Sequence, residues 1–327
     1  MRLHNTLQRF EQGTLEARAY TSLSRLLEAR HWGMFNGGRR VPYSNQQEQG
    51  LSRSAKSGRG TDFLELQPYQ PGDDVRHMDW KATARVGAPW LRAFEQERQR
   101  HCSVIVDQRS CLFFGSMAYT KSLLAAELAA ITAWDHLLLG YSVRLVILSD
   151  EQVDEGDVLY SVERLSERLG LLARCNQQLG AWHSQSYSGS IAEAIEKTHR
   201  LPRHEMFWFT SALNWRVPDR TSLATVLEKH RFTCISVEDV AELDPQRIAA
   251  CDWVGPSSES LALDRSSEYY ATLAARAQAS ITAFDVLCRT FHGALYRVDS
   301  GNSASAAYHE QAGFGRFLSD QSDVSRA

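Results

Sequence analysis

The feature that most constrains the fold is a series of short apolar runs without regular polar alternation, separated by longer stretches with helical spacing. Such runs lie at residues 102–106 (CSVIV), 143–148 (VRLVIL), 206–209 (MFWF) and 232–237 (FTCISV). Strands without a polar face are typical of a parallel sheet covered on both sides. Right-handed crossovers through the intervening helices then give an open, doubly wound sheet. The pattern predicts an α/β fold, with a mostly parallel sheet and helices on both faces.

Apolar residues at helical spacing predict the elements that connect and follow these strands. Helices are predicted over residues 119–139, 161–175, 190–199, 221–230 and 266–291, a short strand at 253–254 and an edge strand at 294–298. Gly140 follows the first of these helices as a C′ residue does.

The first hundred residues have a different character. They contain a candidate helix over residues 15–30, a Gly- and Ser-rich stretch over 36–60, and strand-like pieces around a polar centre. We therefore predict a small, partly β lobe with its N-terminal helix over residues 1–100, an α/β domain over 101–300, and a polar, loosely ordered tail over 301–327.

The net charge and the spacing of the cysteines exclude several functional classes of protein. The formal net charge is −3, whereas a dedicated nucleic-acid binder usually has a basic surplus. The basic positions at Arg39, Arg40, Arg53, Lys56 and Arg59 lack interleaved aromatic residues, so we interpret them as solvated. No uninterrupted window of about 18 apolar residues and no CxxC motif occurs. We expect a cytoplasmic protein that neither inserts into a membrane nor binds nucleic acid.

The common catalytic motifs are missing from the sequence. It contains no Gly-Lys dipeptide, and therefore no Walker A loop, and neither H-E-x-x-H nor G-x-S-x-G occurs. In open α/β sheets, ligands bind at the carboxyl ends of the strands. The polar residues predicted at that edge are Asp107, Asp150, Thr210, Ser211, Glu238 and Asp239.

A separate motif precedes the α/β pattern. Residues 58–63 (GRGTDF), 69–80 (YQPGDDVRHMDW) and the pair Ala84-Arg85 resemble the defining motif of a bacterial family known as domain of unknown function 58. In that family a von Willebrand A-like, Rossmann-like domain follows the motif. The resemblance covers roughly residues 50–300, and it implies a von Willebrand A-like fold for the α/β domain.

The resemblance also implies a place for a metal site. Von Willebrand A-like domains usually hold Mg²⁺ at a metal-ion-dependent adhesion site, which begins Asp-x-Ser-x-Ser and adds a Thr and an Asp from later loops. Here the corresponding residues are Asp107, Arg109 and Cys111, with Ser190 near the Thr position and Thr210 in the loop that lacks the Asp. Two hydroxyl ligands are replaced and a cation is added, so we expect a degenerate site and no cofactor. Retained Mg²⁺ remains the alternative.

The sequence leaves two interpretations of the role of Asp107 open. It is paired with Arg109 or Lys121 at the sheet edge, or the Arg109 guanidinium replaces the metal as the positive group that meets a partner's carboxylate.

The motif admits three interpretations. The first is a structural network in which Asp73, Asp74 and Asp79 cap backbone amides and Arg76 pairs with one of them, with Trp80 packed as the anchor of the lobe and Arg85 nearby. The second is a surface on which a partner docks. The third is a metal site that would serve a metal-dependent hydrolase, with the ligands Asp73, Asp74, His77 and Asp79.

Members of the family are encoded beside MoxR-type AAA+ ATPases. The resemblance therefore implies a non-enzymatic, chaperone-like adaptor that presents a client protein to such an ATPase. The hydrolase is the alternative function.

Overall fold

The apolar runs form the parallel strands of the structure, a computed structural model. It describes residues 18–33, 51–52, 57–70, 74–95, 98–179, 197, 204–214, 217–248 and 267–310. The strands are β1 (Leu51–Ser52), β2 (Ser57–Pro68), β3 (Trp90–Glu95), β4 (Arg98–Gln99), β5 (His101–Asp107), β6 (Ser142–Leu148), β7 (Val153–Asp154), β8 (Val158–Leu159), β9 (Glu205–Thr210), β10 (Arg231–Glu238) and β11 (Ala294–Asp299). Each predicted parallel strand is present and extends by one or two residues beyond its apolar run.

The helices of the described residues alternate with these strands. They are α1 (Leu23–Gly33), α2 (Trp80–Val86), α3 (Lys121–Leu138), α4 (Val162–Gln177), α5 (Val217–Lys229), α6 (Val240–Leu243), α7 (Ser267–Thr290) and α8 (Ala304–Glu310). Gly140, with φ of 85°, follows α3 as predicted. The helix predicted over residues 190–199, apart from residue 197, and the strand predicted at 253–254 lie outside the described residues.

The central sheet is mostly parallel and has the order β11-β10-β9-β5-β6-β7, with β8 also paired to β6. The pairs β5–β6, β5–β9, β9–β10 and β10–β11 are parallel. The short strands β7 and β8 run antiparallel to β6. From the sequence we predicted no strand at either place, so β7 and β8 are additions to the predicted sheet. The architecture is a Rossmann-like α/β fold.

Both faces of the sheet are covered, which explains the lack of polar alternation in the strands. On one face, Val104, Val106 and Phe209 belong to a core shared with α1, α3, α4 and α8. On the other face, Ile105 and Trp208 pack with α5 and α7. Alternate residues of the same strand therefore serve different cores.

The N-terminal helix packs on the α/β domain. Leu26 and Ala29 of α1 are fully buried within the first core, and the Trp134 indole Nε1 of α3 donates to the Leu26 carbonyl at 2.9 Å. From the sequence we predicted this helix over residues 15–30 and assigned it to the small lobe. Its burial against α3 attaches it to the α/β domain instead.

The polar tail also begins with an ordered element. Helix α8 buries Ala304, Ala307 and Tyr308 against the first core. The Tyr308 hydroxyl donates to the Asp135 carboxylate at 2.5 Å. The expectation of a loosely ordered tail over residues 301–327 is therefore wrong for residues 304–310, because three small or aromatic residues at helical spacing pack on an apolar surface.

The small lobe contains the predicted strand pieces. Strands β2 and β3 pair antiparallel, and α2 lies between them in sequence. None of the helices in the described ranges is long and apolar enough to cross a membrane.

Candidate functional site

The carboxyl ends of β5 and β9 meet where the strand order reverses. From β5 the chain proceeds outward to β6, whereas β9, β10 and β11 follow one another on the other side. Loops diverge at such a switch point, and open α/β sheets bind ligands in the resulting crevice. The strands that flank it end at Asp107 and Thr210, as the sequence predicted for this edge.

Asp107 is held there by Arg109 and Thr210. The Arg109 Nε donates to Asp107 Oδ1 at 2.8 Å, and Nη2 donates to Oδ2 at 2.6 Å. The Arg109 backbone amide also donates to Oδ1 at 3.2 Å, and the Thr210 hydroxyl donates to Oδ2 at 2.8 Å. Of the two pairings left open by the sequence, the structure therefore contains the one with Arg109, in the bidentate form that is strongest for a guanidinium.

The pair is almost removed from water. Asp107 is fully buried, and only 8% of the Arg109 surface is exposed. Burial by itself lowers the pKa of the guanidinium, but the charge and hydrogen bonds of Asp107 outweigh it and raise the pKa above its usual value. Arg109 therefore stays charged, and its charge is directed towards Asp107.

The loop that follows β5 carries the exposed part of this edge. Its Ser110 amide donates to Asp150 Oδ2 at 2.8 Å, which ties the loop to the end of β6. Cys111 is exposed. Ser190, the remaining residue predicted here, lies outside the described residues. The structure thus brings together Asp107, Arg109, Cys111, Thr210 and Asp150.

A second polar cluster lies where β10 ends. The Asp239 carboxylate accepts from the Ser116 amide at 2.8 Å and from the Ser300 hydroxyl at 2.5 Å. The fully buried Lys121 donates to Glu242 at 2.5 Å. These bonds connect the loop after β5 with α6 and the end of β11.

Sequence reasoning placed Asp239 at this edge but missed its partners. A signal was present: Asp239 and Glu242 are three residues apart, and they form a capping box at the start of α6. The Lys121–Glu242 pair spans about 120 positions of the chain, and no local pattern indicates it.

In the motif, Asp79 caps α2 and connects it to β3. Its Oδ1 accepts from the Lys81 and Ala82 amides at 3.0 Å each, which caps α2, and its Oδ2 accepts from Arg92 Nε at 2.8 Å. The Ala82 amide, followed by Arg92, lowers the pKa of the Asp79 carboxyl. Asp74 caps the turn Val75–His77 by accepting from the Arg76 amide at 3.0 Å. The capping expected of these two aspartates is therefore present.

Other parts of the expected network differ. The ion partner of Asp79 is Arg92 rather than Arg76, and Asp73 lies outside the described residues. Trp80 does not anchor the lobe, because 71% of its surface is exposed. Arg85, near the end of α2, is exposed as well.

Comparison with known protein families shows to which family this chain belongs. The family described as "Protein of unknown function DUF58" matches residues 65–244. The chain belongs to this family. The DUF58 match includes the motif helix α2 and both strands of the switch point, and it ends just after α6.

Related chains occur in mycobacteria. Proteins described as uncharacterized from Mycobacterium tuberculosis and Mycobacterium bovis are 43% identical over 192 residues, which is 57% of this chain. The match covers 58% of the length of these relatives.

The residues at the switch point do not fit a Mg²⁺ ion. Mg²⁺ needs about six oxygen ligands in an octahedron, but both oxygens of Asp107 already accept hydrogen bonds from Arg109. The guanidinium also places a positive charge where the cation would bind. No group of three or more His, Cys, Asp or Glu side chains that could hold a metal occurs among the residues the structure describes.

We expect Mg²⁺ or Mn²⁺ to show no stoichiometric binding to the protein in calorimetric titrations. The reason is that a cation would have to displace a bidentate guanidinium from Asp107. A micromolar site that is lost in Asp107→Ala would contradict this expectation.

The hydrolase alternative gains no support from the described part of the motif. Asp79 is used for capping and for the pair with Arg92, and Asp74 caps a turn. These contacts make the carboxylates structural acceptors rather than free metal ligands.

Proposed function

We propose that this DUF58 protein is a non-enzymatic, cytoplasmic adaptor that works with a MoxR-type AAA+ ATPase in the assembly or activation of another protein complex. In this proposal its α/β domain is von Willebrand A-like, and the switch point is a degenerate metal-ion-dependent adhesion site. The proposed partner is inferred from the family resemblance of the sequence.

The observation that carries the proposal is the Asp107–Arg109 pair at the switch point. In a metal-dependent adhesion site, a bound cation offers positive charge to a carboxylate of the partner. Here two of the three guanidinium nitrogens donate to Asp107. The positive charge at this site therefore comes from the Arg109 side chain instead of from a bound metal ion. The remaining nitrogen, Nη1, is the donor proposed to meet a partner's carboxylate.

The exposed residues around this pair form the proposed contact surface. Cys111 lies two residues beyond Arg109 and is exposed. Met117 is 56% exposed in the same loop, which the Ser116 amide fastens to Asp239. The loop is therefore held in place while its outer side chains remain available, an arrangement that reduces the entropic cost of binding.

The test is calorimetry of the intact chain with the MoxR-type ATPase of the same genome. We expect Cys111→Glu and Met117→Glu each to weaken binding about tenfold or more, because both place a negative charge beside the partner's carboxylate. Arg109→Glu is unsuitable, since it would bury a second carboxylate beside Asp107.

Glu228→Lys serves as the control, because Glu228 is exposed on α5, outside the proposed surface. Unchanged affinity in both interface variants would refute the proposed surface. An ATPase that never binds the wild-type chain would refute the proposed partner.

A further inference from the structure

The outer face of α2 presents a tryptophan and two cations to solvent. With about 100° between successive helical residues, Trp80, Lys81, Ala84 and Arg85 fall within an arc of about 140°. All four are exposed. Of the residues opposite this arc, Ala82 and Thr83 are partly buried, whereas Val86 at the end of the helix is exposed.

The helix is held firmly in this orientation. Asp79 caps its first turn and is bridged to Arg92 of β3, and the Asp79 amide donates to the Trp90 carbonyl at 2.8 Å. The Trp90 amide in turn donates to the Thr83 hydroxyl at 3.0 Å. Gly87, with φ of 76°, ends the helix in the left-handed region that glycine favours. The polar bonds of the motif therefore fix the position of Trp80 without covering it.

The charge around Trp80 is positive. Arg76, Lys81 and Arg85 are exposed, and no ion pair joins them to a carboxylate of the described residues. Among the residues of the motif whose side chains the structure describes, the acidic ones are Asp74, which caps a turn, and Asp79, which is paired with Arg92. This local surplus contrasts with the net charge of −3 for the whole chain.

We propose that this α2 face, formed by Trp80, Lys81, Ala84 and Arg85, is a docking surface for an acidic, apolar-bearing segment of a partner protein. Tryptophan and arginine are the side chains most enriched among residues that dominate binding energy. A segment with a large apolar side chain would cover the indole, and its carboxylates would meet the surrounding cations. Together with the surface proposed at the switch point, the α2 face would let one chain contact two proteins. The inference about α2 does not depend on the proposal for the switch point.

A protein fits this face better than a nucleic acid. Single strands are bound by grooves with several aromatic side chains that stack successive bases, whereas α2 offers one indole on a convex helix.

The experiment uses a random dodecapeptide display library selected on the intact wild-type chain without counter-selection, and the enriched peptides are then measured on each variant. We expect the enriched peptides to carry Asp or Glu beside a large apolar residue. Their affinity should fall about tenfold or more in Trp80→Ala and in the double variant Lys81→Glu with Arg85→Glu. Tyr160→Ala, which removes another largely exposed aromatic side chain, should leave the affinity unchanged.

Several results would overturn the proposal. These are a selection that yields no such peptides, enriched peptides without acidic residues, and peptides that bind Trp80→Ala as well as wild type. A fluorescent oligothymidine, or vesicles of phosphatidylserine, that bound wild type and not Trp80→Ala would assign the face to a nucleic acid or a membrane instead.

Discussion

Replacing Arg109 with alanine is expected to lower the free energy of unfolding by about 3–5 kcal/mol, because the fully buried Asp107 carboxylate would lose its ion partner. This decrease in the free energy of unfolding exceeds the net contribution of the ion pair, because it includes the cost of leaving a buried charge unpaired. Urea denaturation of the two proteins measures the difference.

The matched control is Arg164→Ala. Arg164 pairs with Glu167 at 3.9 Å on the surface of α4, with both side chains 72% exposed, and such pairs are worth about 0–1 kcal/mol. If Arg109→Ala costs no more than this control, Asp107 has another means of compensation, and the description of the switch point as a closed ion pair is wrong.

A second large effect is expected at α1. Leu26→Ala should lower the free energy of unfolding by about 2–5 kcal/mol, because Leu26 is fully buried between α1 and the α/β domain and its removal leaves a cavity. Leu23→Ala on the same helix removes the same atoms from a side chain that is 42% exposed. It should cost less than about 1 kcal/mol.

Equal effects at Leu23 and Leu26 would mean that α1 is not docked as described. The comparison isolates packing, since both substitutions change helix propensity by the same amount.

The strands could be predicted because burial on both faces leaves a direct mark in the sequence. The apolar run at 102–106 indicated β5, and the strand continues through Asp107 because its parallel pairing extends to the partner position at Leu148. The carboxyl edge was predictable for the same reason, since parallel strands end at one side. That Asp107 and Thr210 are neighbours depends on β5 lying beside β9, and strand order has no local signal in the chain.

The candidate site was only partly predictable. The Asp107–Arg109 pair is local, and two residues of separation allow the guanidinium to fold back, so it was among the alternatives. Lys121 was offered as the other partner, but it pairs with Glu242, which comes close only through the tertiary fold.

Trp80 was misjudged for a different reason. Large aromatic side chains are buried on average, but the short helix between Asp79 and Gly87 has no fully buried residue, and its partly buried positions are Ala82 and Thr83.

The docking of α1 also bears on how the chain emerges from the ribosome. The Thr21 amide, just before α1, donates to Asn176 at the end of α4, 155 positions further along. At about 5–20 residues per second, that interval takes about 8–30 s to translate. The α1 segment is therefore synthesised well before the surface that it contacts on α3 and α4 is complete, and until then its apolar side chains are available for non-native contacts. Nascent chains stalled between α1 and α4 should for this reason be more sensitive to proteolysis within α1 than chains that have passed residue 177.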